Sequence, residues 1–183
     1  MNVTNDFSNL QRKVEVYKEI LKNTEIYRQR WRDGLKTEIR EHLTEIAAAT
    51  GLQGQIDERE ELDNLGAVIF NLGTVKSGMS HEVAENIRRD LIKQNGSLIY
   101  QQLFNGKILV LINYPFIENY GQPAPPKTIG IYRPEELKAP FYVRHLETFV
   151  QEVTHWEDYD DDDNGGAKAH QQIGFHANFD GPQ

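Results

Sequence analysis

From residue 6 to residue 50 the chain favours helix throughout, and its apolar side chains return every three or four positions. Phe7, Leu10, Val14, Tyr17 and Leu21 make a first row, Arg28 interrupts it, and Trp31, Leu35, Ile39, Leu43 and Ile46 resume it. A stripe this long exceeds what the remainder of a 183-residue chain can shelter, so it predicts a partner, and the simplest partner is a second copy. Leu10, Val14, Tyr17, Leu21, Trp31 and Leu35 are the expected dimer interface. The spacing slips from heptads toward fours, which favours a bundle-like helix pair over an extended coiled coil. Asp33-Gly34 offers a place to bend, because an internal glycine costs a helix about 1 kcal/mol relative to alanine. Thr50-Gly51 is the natural stop.

Length favours one domain with its own core. Hydrophobic residues at 38% and charged residues at 26% sit on the polar side of globular, as expected of one core carrying a solvated helix and a polar tail. The formal charge of −8 is unevenly spread: seven acidic residues against Lys168 give the segment after Trp156 a net −6, which leaves −2 on residues 1–156. A body so near neutrality has no broad basic field to gather phosphates, so no nucleic-acid partner is expected. No apolar run approaches the roughly 20 residues of a spanning helix, and the first thirty residues lack a signal-peptide core. With no cysteine in the chain, the expectation is a soluble cytoplasmic protein that does not associate with membranes.

Beyond the long helix, Gln53 to Arg59 and Leu65 to Leu72 read as a strand pair, and Ser80 as the cap of a short helix ending near Asn95-Gly96, with Val83, Ile87 and Leu91 on its apolar face. Ser97 to Phe104 and Lys107 to Tyr114 flank Asn105-Gly106, which suits a two-residue type I′ hairpin turn. The continuous apolar run Ile108-Leu109-Val110-Leu111-Ile112 argues for a central strand covered on both faces. Lys127 to Tyr132 supplies a further strand after a proline-bearing loop, and a helix from about Pro140 to Trp156 shows Val143, Leu146, Phe149, Val150 and Val153 on one face.

The expected fold is therefore α+β, in the order αββαβββα, with an antiparallel sheet of about five strands: residues 1–50 for oligomerisation, 51–156 as a sandwich domain, and 157–183 as a disordered acidic tail. That order resembles the profilin-like group, which includes the roadblock, longin, GAF and PAS modules, and the resemblance implies a regulatory or scaffolding module.

No constellation specifies a reaction. Asp160, Asp162 and Asn164, followed by Gly165, fit the opening of a calcium loop, but Gln171 stands where a bidentate Glu closes the shell. The run reads instead as a solvated acidic tail, and neither metal nor cofactor is expected. No two of the six histidines, His42, His81, His145, His155, His170 and His176, have metal-site spacing on a helix, and they read as satisfied or exposed. Gly73 to Gly78 lacks the Gly-Lys-Ser/Thr order of a phosphate loop and reads as a strand-to-helix connection. Tyr100, Tyr114, Phe116, Tyr120 and Tyr132 cluster near predicted strand ends, where they form a possible binding surface or close the core at its rim.

These observations lead to a non-enzymatic interaction or scaffold module acting as a homodimer, with an unidentified protein partner. One alternative is a small-ligand sensor of GAF or PAS type, whose cavity would be bounded by Ile69, Tyr100, Ile112 and Tyr114. Another is an assembly or secretion chaperone.

Overall fold

The computed structural model describes residues 6–60 and 62–158. The amino-terminal segment is two helices, α1 (Ser8–Arg30) and α2 (Lys36–Thr50), joined by a π-helical turn at Trp31–Leu35 in which Gly34 leaves helical geometry. The break falls at the predicted glycine. α2 ends at Gly51 in the left-handed conformation, which leaves room for the chain to turn back as β1 (Gln55–Arg59) and β2 (Ala67–Asn71).

β3 (Thr74–Ala84) and β4 (Ile87–Gln94) follow, then β5 (Ser97–Gln102), β6 (Ile108–Asn113), the short β7 (Phe116–Ile117), β8 (Lys127–Tyr132) and α3 (Ala139–Glu157). Five strands form an antiparallel sheet in the order β1-β2-β5-β6-β8, and β3-β4-β7 form a second sheet. The class is α+β, with a long amino-terminal helical segment and a carboxy-terminal helix.

The segment expected as a middle helix is the β3–β4 hairpin, an arm turned at Glu85-Asn86 with Asn86 at φ 63°. Ile87 and Leu91 of β4 step by four, a spacing that a helix and one face of a strand both satisfy, whereas Val83 lies across the turn on β3. Continuation of the ladder decides between them: the Leu72 amide donates to Gly96 and the Asn95 amide to Gly73, so pairing of β2 with β5 passes directly into pairing of β3 with β4. Ser80 therefore caps nothing, and Gly73 to Gly78 leads into a strand. Without the middle helix, the element order that resembled the profilin-like group is not present.

One sheet face carries the core. Val68, Phe70, Leu98, Tyr100, Ile108, Val110 and Ile112 pack beneath Leu35, Ile39 and Leu43 and beneath Tyr142, Leu146 and Phe149 of α3. Register places Ile69, Ile99 and Leu111 in one cross-strand row on the opposite face, where Ile99, Leu109 and Leu111 are only half-buried. The apolar run of β6 is thus covered by helices on one face rather than both.

The β5–β6 connection is tight but is not the predicted turn. Gly106 alone takes positive φ, at 75°, while Asn105 keeps ordinary φ. The Gly106 amide donates to Leu103 and the Leu103 amide to Lys107, both at 2.8 Å, which makes a three-residue loop with glycine in its left-handed last position. Packing against α1 selects this shape: a Cβ on Gly106 would lie 2.6 Å from Tyr27 Cβ and 2.9 Å from the Arg28 amide nitrogen.

Candidate interaction surface

α1 extends about 34 Å at roughly 1.5 Å per residue, and none of its 23 residues is buried. Its final turns are fastened to the body, where Arg28 reaches the β5–β6 loop and donates to the Phe104 carbonyl from Nε at 3.1 Å and Nη2 at 2.6 Å. The interruption in the apolar row is thus the side chain that attaches the helix. Amino-terminal to it, Leu10 (59% exposed), Val14, Tyr17 (61%) and Leu21 (50%) face solvent. Phe7 prolongs that row, and Ile20, three residues beyond Tyr17 and so beside it on the helix surface, widens it.

The carboxy-terminal half of the stripe has another fate. Trp31 is 3% exposed and Leu35 0%, so these two expected interface residues belong to the protomer's own core. Trp31 lies over Gly66, where a Cβ would stand 3.0 Å from the indole nitrogen. The boundary between self-covered and uncovered stripe falls at Arg28.

The aromatic residues do not form one rim. Tyr100 is fully buried, and its hydroxyl is 2.9 Å from His145 Nδ1, while Tyr132 Oη is 3.1 Å from His145 Nε2. Tyr114 donates to Glu152 at 2.6 Å. Tyr132 pairs with Ile108 at one end of β6, and Tyr114 follows its other end, so the two are separated by about 20 Å of strand. Phe116 and Tyr120 are half-buried beside the second sheet.

His145 is itself buried, at 2% exposure. Burial pushes its pKa down to about 4, so it is neutral at pH 7 and can donate from one ring nitrogen while accepting at the other. Burial raises the Glu152 carboxyl, but hydrogen bonds from Lys127 and Tyr114 outweigh it and the net direction is downward. Both groups hold α3 to the sheet. His42 stacks on Tyr142 with ring centroids 4.7 Å apart, and His81 and His155 are exposed.

The four residues proposed to bound a ligand cavity do not converge. Tyr100 and Ile112 lie on the helix-covered face, and Tyr114 reaches α3, whereas Ile69 points to the opposite face. Among the described residues no three histidine, aspartate or glutamate side chains are placed to hold a metal ion, and no helix is long and apolar enough to cross a membrane. Asp160, Asp162 and Asn164, like His170 and His176, lie outside the described residues.

Comparison of the chain with protein families, curated proteins and solved structures finds no match. The functional reading therefore rests on these residues alone.

Proposed function

We propose that the chain is a non-enzymatic interaction module that acts as a homodimer, with α1 as its assembly element. The observation that carries this reading is the division of one stripe at Arg28: Trp31, Leu35, Ile39 and Leu43 are covered by the protomer, whereas Leu10, Val14, Tyr17 and Leu21 on the same continuous segment are not. Covering a large apolar side chain contributes about 1.5–3 kcal/mol, so four to six such residues per copy supply a driving force for pairing. α3 adds little to such a bundle, because Leu146 and Phe149 are already in the core and only Val143 and Val150 face outward.

Light scattering on the full chain at micromolar concentration tests this. The expected mass is twice the 21.1 kDa of one chain, falling to one chain in a Val14→Glu, Leu21→Glu double variant whose circular dichroism is unchanged. A monomer mass for the unaltered chain overturns the proposal.

A further inference from the structure

The open row of α1 stops where the protomer's own body begins. Phe7, Leu10, Val14, Tyr17 and Leu21 alternate steps of three and four, and Thr24 and Arg28 continue the alternation. The β5–β6 loop sits on that continuation: a Cβ on Gly106 would stand 2.6 Å from Tyr27 Cβ, 2.9 Å from the Arg28 amide nitrogen and 3.1 Å from the Thr24 carbonyl oxygen. Loop and open row therefore share one side of the helix. Phe104, in this loop, accepts from Arg28 through its carbonyl and is nevertheless 73% exposed. The open stretch, residues 7–21, runs about 21 Å at roughly 1.5 Å per residue.

A second α1 laid on this row can run in either direction. In a parallel pair each row residue faces its own counterpart, which sets Arg28 against Arg28 and drives both β5–β6 loops into the space between the helices. Flanking positions five residues apart also face each other in a parallel pair, so Lys13 of each copy meets Lys18 of the other. In an antiparallel pair the row interlocks with itself, Phe7 facing Thr24, Leu10 facing Leu21 and Val14 facing Tyr17. Each flank then meets the same flank of the other copy. Lys13 lies along Ile20, which is 56% exposed and takes its methylenes, and Lys18 lies beside Gln11, so the two lysines no longer oppose each other. The ends match as well: α1 begins at Ser8, so Phe7 of the second copy reaches Thr24 where the loop starts, and the open stretch accepts one such row.

We propose, resting on the homodimer reading above, that two copies pair antiparallel through residues 7–21 of α1. Phe7 of each copy closes against Thr24 and Phe104 of the other, and the two bodies lie at opposite ends of the paired helices. Charge, register and the position of the β5–β6 loop all select this direction. The partner copy thereby adds Phe104, a residue outside α1, to the interface.

Because the chain has no cysteine, single cysteines report the direction in the full-length protein. Ile26, 51% exposed, lies away from the row, and a nitroxide on Ile26→Cys leaves the seam intact. In the antiparallel pair the two nitroxides are at least about 31 Å apart along the helix axis; in the parallel pair they stand level, about 20–24 Å apart across two helix diameters. Electron–electron dipolar spectroscopy separates the two. Mild oxidation of Leu10→Cys chains mixed with Leu21→Cys chains is expected to link the unlike chains, whereas like chains stay unlinked because two copies of either cysteine are about 16 Å apart. A dimer mass with the shorter distance, or with like chains linked, overturns the antiparallel pairing and leaves the homodimer standing. A dimer mass with no link of either kind places the contact elsewhere and also overturns it. A monomer mass for the unaltered chain overturns both readings.

Discussion

Arg28 and Phe104, 76 residues apart, are joined by two hydrogen bonds from one guanidinium to one carbonyl oxygen, and this contact ties α1 to the β5–β6 loop. The Arg28 side chain is about a quarter exposed, so the contribution is set at the lower end of the range for charged donors, about 1–2 kcal/mol. Arg28→Ala is expected to lower the unfolding free energy by that amount and to speed amide exchange from Thr24 to Arg30. Arg28→Lys should restore little, because an ammonium cannot place two fixed donors on one oxygen.

Gly106 is held to glycine twice over, by a φ of 75° and by the backbone of α1 pressed against it. Gly106→Ala is expected to cost at least about 2 kcal/mol, from left-handed strain and the displaced helix together. Chemical denaturation gives the value. A loss of under half that would mean that the loop stands off α1.

The two halves of the amino-terminal stripe should respond oppositely. Leu35→Ala removes a fully buried side chain and is expected to cost about 2–5 kcal/mol in global stability. Leu21→Ala, at a half-exposed position, should leave the unfolding of an isolated protomer within about 0.5 kcal/mol of the original, and its effect should appear instead in the concentration dependence of the melting temperature. Equal losses at the two positions would contradict the division at Arg28.

His145 makes stability depend on pH. Its folded pKa of about 4 lies below its ordinary value of 6.5, so between these values the unfolded chain binds the extra proton and stability rises with pH. The contribution is complete above about pH 6.5 and is lost as pH falls toward 4. At about 1.4 kcal/mol per pKa unit this amounts to roughly 3 kcal/mol. Glu152, whose pKa is lowered from 4.5, also loses its contribution on acidification, but only as pH falls below about 4.5. Urea denaturation at pH 7, 6 and 5 should therefore isolate the histidine, and in His145→Phe the slope over this interval should vanish, at the expense of lower stability at pH 7 because Tyr100 loses its partner.

Much of the sheet could be read directly from local signals. Gln55–Arg59 with Ala67–Asn71, Ser97–Gln102 with Ile108–Asn113, Lys127–Tyr132 and the helix Ala139–Glu157 all lie where alternation, apolar runs and turn residues put them. The arm escapes a local reading because Ile87 and Leu91 fit both periods, and Val83, across the turn on β3, happens to extend the helical one. Its turn, Glu85-Asn86, is also a weaker hairpin signal than Asn105-Gly106. At Asn105-Gly106 itself the presence of a turn was legible but its type was not, because the selecting contact comes from Tyr27 and Arg28, distant in sequence. Tyr100 belongs to the core and not to a binding rim: its alternation with Leu98 along β5 puts it on the covered face, although it lies near a strand end.

The sequence by itself determined the elements whose signals are local: the amphipathic helices, the central strands on either side of Asn105-Gly106, and a glycine at which the long helix has room to bend. Tertiary structure alone decided that residues 74–94 zip as strands, because hydrogen bonds across Gly73 and Gly96 extend an existing ladder more readily than a new helix nucleates. It also decided where the long stripe passes from core to surface. Side chains of the same kind at the same spacing, Leu21 and Leu35, are indistinguishable along the chain; burial depends on which of them has the sheet beneath it, and that is settled only when Arg28 meets the loop at Phe104.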